Sequence, residues 1–124
     1  MDSNLSKIHL YNDDLPSDLR LSNQVAIDTE TLGLNPARDR LCLIQINDGS
    51  DSTHLIRVSS PINPAPNLIK ILESDQIQKI FHFARFDVAV MTKSYGISIN
   101  NIYCTKIASK IARTYTDKHS LKSL

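Results

Sequence analysis

Three short apolar runs, Val25–Asp28, Leu41–Ile46 and Thr53–Val58, precede any helical periodicity, and their order limits the fold more than any bulk property does. Val25-Ala26-Ile27-Asp28 reads as a strand entered from Ser22-Asn23, and Thr31–Asp39, with Gly33 and Asn35-Pro36, reads as a loop. Asn47-Asp48-Gly49-Ser50 leaves too little chain for a crossover, so the second and third runs are expected to pair as an antiparallel hairpin. Upstream, Lys7–Tyr11 reads as another short strand, followed by a turn and one or two helical turns over Ser17–Leu21. From the Pro-rich segment Pro61–Pro66 onward the period changes. Leu68, Ile69, Ile71 and Leu72 fall at helical spacing, Lys79–Phe83 reads as a strand, and Phe86 to Tyr95 as a helix stopped by Gly96. Asn101–Cys104 and Ile107–Ala112 repeat the strand and helix, and Ser120–Leu124 begins another helix. Alternation of this kind specifies an α/β domain, a mixed sheet with flanking helices. A single terminal turn cannot hold itself. Residues 1–124 are therefore expected to be the N-terminal part of a single domain whose C-terminal part is missing.

The length supports one domain. Fourteen Lys and Arg against thirteen Asp and Glu leave a net charge of +1. A protein holding long nucleic acid through its phosphates alone would be more basic, so a local site is expected in place of a broad basic surface. Cys42 and Cys104 form no metal-ligand spacing, and Cys42, inside an apolar run, is expected to be a buried free thiol. No run approaches the ~18 apolar residues of a membrane span, so no membrane partner is expected and a cytoplasmic location is the default.

The carboxylates carry the chemistry. Asp28 and Glu30 are two apart on a strand and so share a face, with Thr29 on the other. Two such groups repel unless a cation lies between them, and hard divalent ions suit oxygen ligands. Asp87, in the first turn of the helix after Lys79–Phe83, complements the helix dipole on its own. Were Lys79–Phe83 to lie parallel beside Val25–Asp28, however, both C-terminal ends would open on the sheet edge where α/β proteins bind ligands, and the three carboxylates could converge on metal.

Val25 to Leu34, followed by Arg40–Ile46, resembles the first motif of the ribonuclease D group of DEDD exonucleases, and Lys79–Val90, centred on His82-Phe83-Ala84-Arg85-Phe86-Asp87, is similar to the second. The resemblance implies a ribonuclease H-like fold, two divalent cations (Mg²⁺ or Mn²⁺), and hydrolysis of phosphodiester bonds from the 3′ end of single-stranded nucleic acid, with RNA the expected substrate. It implies Asp28, Glu30 and Asp87 as catalytic metal ligands. Thr29, Thr31, Leu32, His82, Phe83 and Phe86 would meet the terminal nucleotide. Two departures stand out. Phe83 occupies a position where many relatives have Asn. The third motif, Tyr-x-x-x-Asp, has no match, since Tyr115-Thr116-Asp117 is misspaced and early; the motif is expected beyond Leu124.

The chain alone is accordingly expected to be weakly active or inactive, and its uncovered apolar surface to favour self-association. Two alternatives remain: a non-catalytic nucleic acid-binding or interaction domain on the same fold, and a DNA-directed exonuclease. Arg38 and Arg40 are read either as phosphate-steering or as solvated, and Lys106, Lys110 and Arg113 as one solvated helical face or an RNA track. His82 is read as structural, His54 as structural or exposed, and His9 and His119 as surface residues.

Overall fold

A computed structural model describes residues 7–113 and 116–123, the side chain of Ser123 excepted. Six strands form one mixed sheet: β1 (Lys7–Asn12), β2 (Gln24–Thr31), β3 (Leu41–Asn47), β4 (Ser52–Arg57), β5 (Gln78–Phe81) and β6 (Ile102–Cys104). Three helices accompany them, α1 (Pro66–Glu73), α2 (Ala84–Tyr95) and α3 (Thr105–Ala112). The spatial order is β1-β4-β3-β2-β5-β6. The expected β3–β4 hairpin is present, and β5 lies parallel beside β2 with Val25 opposite Lys79.

Register separates the two faces of the sheet. Ile27 pairs with Ile46 and Ile46 with His54, while Thr29 pairs with Ile44 and Ile44 with Ile56. All six are buried, and with Leu68 and Leu72 of α1 and Val90 and Met91 of α2 they mark the face the first two helices cover. Burying one such leucine is worth roughly 2 kcal/mol. The opposite face carries Asp28 beside Gln45, both exposed. Where β2 ends, the register slips: Glu30 faces Leu43, but Thr31 faces Leu41, which leaves Cys42 as an extra residue. This β-bulge explains how Leu41 and Ile44, three apart, are both buried. It also leaves Cys42 only half-buried, contrary to the expected fully buried thiol.

Both ends of α1 are held by distant side chains. Pro66 opens the helix, and Ala65 offers no side-chain cap. The Asp14 carboxylate, 54 residues upstream of Leu68, accepts from Leu68 N at 2.8 Å and Asn67 N at 3.1 Å. At the other end the buried Lys79 ammonium donates to Ile71 O, Ser74 O and Ile77 O at 3.0, 2.6 and 2.6 Å. That cradle supplies partners to carbonyls a helix end otherwise leaves free. α2 ends as its sequence predicts, with Gly96 left-handed at φ 65° and its N–H on Thr92 O at 2.8 Å.

Ser17–Leu21 is not helical; the only ordered feature there is a turn closed by Leu19 N on Pro16 O at 3.3 Å. The expected strand Lys79–Phe83 stops at Phe81, because Phe83 adopts φ 59° and turns the chain into α2. At the far end a 3-10 turn spans Leu121–Ser123; Leu124, in the expected helix over 120–124, and Tyr115 lie outside the described residues. His119, expected at the surface, is buried and shares a 2.9 Å hydrogen bond with Ser109 Oγ.

Candidate metal centre

The parallel β2–β5 pair puts the end of β2 and the start of α2 at one edge of the sheet. Asp28 and Glu30 project from its exposed face, as period-two alternation requires. Thr29 points the other way, into the protein, where its hydroxyl donates to Asp87 Oδ1 at 2.5 Å. Its backbone N–H lies 3.0 Å from Asp28 Oδ1. One residue therefore holds an oxygen of each aspartate. Asp87 is buried, 5% exposed, and its carboxyl is pushed up to about 6. Burial is the main cause; the charges of Asp28 and Glu30 add to it, and the bonds from Thr29 oppose it.

The three carboxylates thus share an electrostatic neighbourhood. Among the described residues, no three His, Cys, Asp or Glu side chains stand together closely enough to enclose an ion. The strand itself explains this: Asp28 and Glu30 leave it on one face while Asp87 docks against the other. Among the described residues the single ion pair is Arg38 with Asp39 at 3.1 Å, so no Lys or Arg neutralises the three acids. Their chemistry, hard anionic oxygen with uncompensated charge, fits a divalent cation.

Residues around the carboxylates divide by exposure. Leu32 is 70% exposed and Phe83 47%, while Thr31 and Phe86 are partly buried. The Thr31 hydroxyl donates to Gly33 O, which closes the loop after β2, and Lys93 of α2 reaches across to Ala37 O in the same loop. Lys106 of α3 sits 4.3 Å above the Phe83 ring. Thr105 Oγ1 lies 2.8 Å from His82 Nδ1 and 3.2 Å from Phe81 O, which ties the His82 ring to the start of α3. A pocket of about 240 Å³ on the Asp28 face is lined by Ala26, Asp28, Gln45, His82, Thr105 and Leu121, among others.

The arginines after β2 are engaged within the fold. Arg38 forks onto Asp39, and Arg40 donates to Leu41 O and Val58 O. His54 is buried and bonded to the Tyr11 hydroxyl at 3.0 Å. His9 is exposed but stacks on it, ring centroids 5.2 Å apart. The three acids lie on the elements the sequence assigned to them, and the bond from Thr29 to Asp87 was not read from the sequence. Only the face Thr29 occupies, opposite its acidic neighbours, signalled that link.

Known proteins resemble this chain in sequence and in fold. Brucella melitensis NrnC bound to pGG is 50% identical and superposes with a TM-score of 0.90 over 95% of this chain and 58% of that one. The same protein has also been solved with bound Mg²⁺, likewise 50% identical with a TM-score of 0.90, over 94% of this chain and 59% of that one. Ribonuclease D of Bartonella henselae is 30% identical over 93 residues, which is 75% of this chain and 23% of that protein. Escherichia coli RNase D, 24% identical over 82% of this chain and 30% of that one with a TM-score of 0.61, shares the fold. The chain thus spans less than two thirds of the length of these relatives. No described helix is long and apolar enough to cross a membrane. A family model described as 3′-5′ exonuclease matches residues 12–124, and the chain belongs to that family.

Proposed function

We propose that this chain carries the metal-binding carboxylates of an exonuclease that removes nucleotides from the 3′ end of single-stranded RNA, with residues 1–124 forming the N-terminal part of its domain. The observation that carries the reading is that Asp28 and Glu30 on β2 and Asp87 on α2 act on one another electrostatically while, among the described residues, no Lys or Arg forms an ion pair with them. Asp28 would serve both of two divalent ions, Glu30 one and Asp87 the other. Held by these residues, Mg²⁺ or Mn²⁺ would supply the chemistry of lowering the pKa of an attacking water and stabilising the leaving 3′ oxygen. Exposed Leu32 and Phe83, with Thr31, His82 and Phe86 beside them, would receive the terminal nucleotide. The backbone of Thr29 lies in the same stretch. RNA is favoured by the likeness to a ribonuclease D and to a nuclease that holds pGG.

Because the carboxylates do not yet enclose an ion and residues 1–124 contain no Tyr-x-x-x-Asp, these residues alone hydrolyse RNA slowly or not at all. Exposed Ile107 and Ile111 on α3 favour self-association, and the two free cysteines fit a cytoplasmic location. The test is 3′-labelled RNA incubated with Mn²⁺ and a chain extended through a Tyr-x-x-x-Asp segment. Asp28→Asn should slow release by ~10²-fold or more, about 3 kcal/mol of barrier. Retention of over a tenth of the rate would show that the ligands are wrongly assigned. Equal turnover by residues 1–124 and the extended chain would overturn the claim that the shorter chain is weak.

A further inference from the structure

Thr29 sits between two acids on β2, yet its side chain is 7% exposed and turned to the helix-covered face. A buried hydroxyl needs a hydrogen-bond partner; here it meets Asp87 Oδ1, and the Thr29 N–H meets Asp28 Oδ1. Among the described residues neither Asp28 Oδ2 nor Asp87 Oδ2 accepts a hydrogen bond from another group, so each carboxylate keeps one oxygen for an ion. Asp87 comes from α2, and Thr29 is the residue that bonds its carboxylate to β2.

Resting on the metal-site reading above, we propose that Thr29 is a positioning residue: its hydroxyl fixes the Asp87 carboxylate against β2 so that Asp28 and Asp87 act as one ion-holding unit, and it does not contact the nucleotide through its side chain. The physics favours this role. A carboxylate on a free rotor loses conformational entropy when an ion captures it, whereas one already held by a short hydrogen bond has lost that freedom on folding. A valine in the same place keeps the branched shape and burial while removing only the donor.

The experiment titrates Mn²⁺ into the chain by isothermal calorimetry, for the wild type, Thr29→Val, Thr29→Ser and Asp28→Asn, with circular dichroism recorded on each. Removing a hydrogen-bond partner of a metal ligand typically costs ~10- to 100-fold in affinity, so Thr29→Val should weaken Mn²⁺ binding by about that factor. Thr29→Ser, which keeps the hydroxyl, should bind within a few-fold of wild type. If Thr29→Val binds as wild type does, the inference falls while the metal site stands, provided Asp28→Asn abolishes binding. Tighter binding by Thr29→Val would show the bond to be a latch that holds Asp87 back, and would overturn the proposal. Equal weakening by serine and valine would overturn it too, since shape would then matter and the hydroxyl would not. A wild type that takes up no Mn²⁺ at millimolar concentration would remove the metal-site reading and this inference with it.

Discussion

Replacing Asp87 by Asn should make the metal-free chain more stable at neutral pH. Asp87 is buried beside two other acids, and its carboxyl is pushed from 3.8 up to about 6. A raised carboxyl pKa means the folded chain holds the proton more tightly than the unfolded chain. Stability from this group is therefore full below about pH 4 and declines as pH rises towards 6, remaining low above it. Two pKa units at ~1.4 kcal/mol each give about 3 kcal/mol as a ceiling, and solvent screening at the sheet edge reduces this to about 1–2 kcal/mol. Asparagine is neutral, nearly the same shape, and keeps an oxygen for the Thr29 hydroxyl. Urea unfolding in EDTA at pH 4.5 to 8 should show wild type losing stability across that window, with Asp87→Asn flatter and ahead at pH 7.5. Adding Mn²⁺ should close the gap by stabilising wild type alone. Parallel pH profiles for the two proteins, or a less stable variant at pH 7.5, would refute the claim that this carboxylate is held in the fold at a cost.

Lys79→Met should destabilise the chain by about 3 kcal/mol or more, because it removes the ammonium shared by Ile71 O in the last turn of α1, Ser74 O at its C-cap and Ile77 O just before β5, and among the described residues only Ile71 O keeps a second donor, Ser74 N; the shift in urea midpoint measures it. Tyr95→Phe should leave stability unchanged or raise it by up to about 1 kcal/mol, because among the described residues the buried Tyr95 hydroxyl has no hydrogen-bond partner and burial holds its pKa up at about 12. A loss beyond 1 kcal/mol in the same assay would contradict this.

Legibility in the sequence followed the range of the forces involved. Ser52–Arg57 and α2, with Gly96 as its stop, were read within a residue or two of their ends, while β2, read as Val25–Asp28, runs three residues further, to Thr31. The hairpin followed from a loop too short for anything else. The run Leu41–Ile46 is apolar at almost every position, so it hid the bulge at Cys42, which appears only in the pairing with Glu30 and Thr31. Ser17–Leu21 has only Leu19 and Leu21 as apolar residues, too few to specify a helix, and it forms one turn after Pro16. His119 was misplaced because its partner, Ser109, lies ten residues back on α3, and no local pattern reports such a bond. At the site, the faces of Asp28, Glu30 and Thr29 were legible from period two. The burial of Asp87 and its bond to Thr29, 58 residues apart, belong to the assembled sheet.

The cap on α1 has a consequence for the order in which the protein assembles. Asp14 follows directly on β1, and β1 is joined to the sheet through parallel pairing with β4, its Lys7 opposite Ser52. Parallel partners so far apart in the chain close late, after the local hairpin of β3 and β4. Until they do, the amides of Asn67 and Leu68 have no side-chain acceptor at Ala65 and none from Asp14. An eight-residue helix in that state frays. Strand and helix therefore lock in a single cooperative event, although 53 residues separate them along the chain. In native-state hydrogen exchange the amides of Asn67 and Leu68 should open together with those of β1, while the core of the β3–β4 hairpin stays protected.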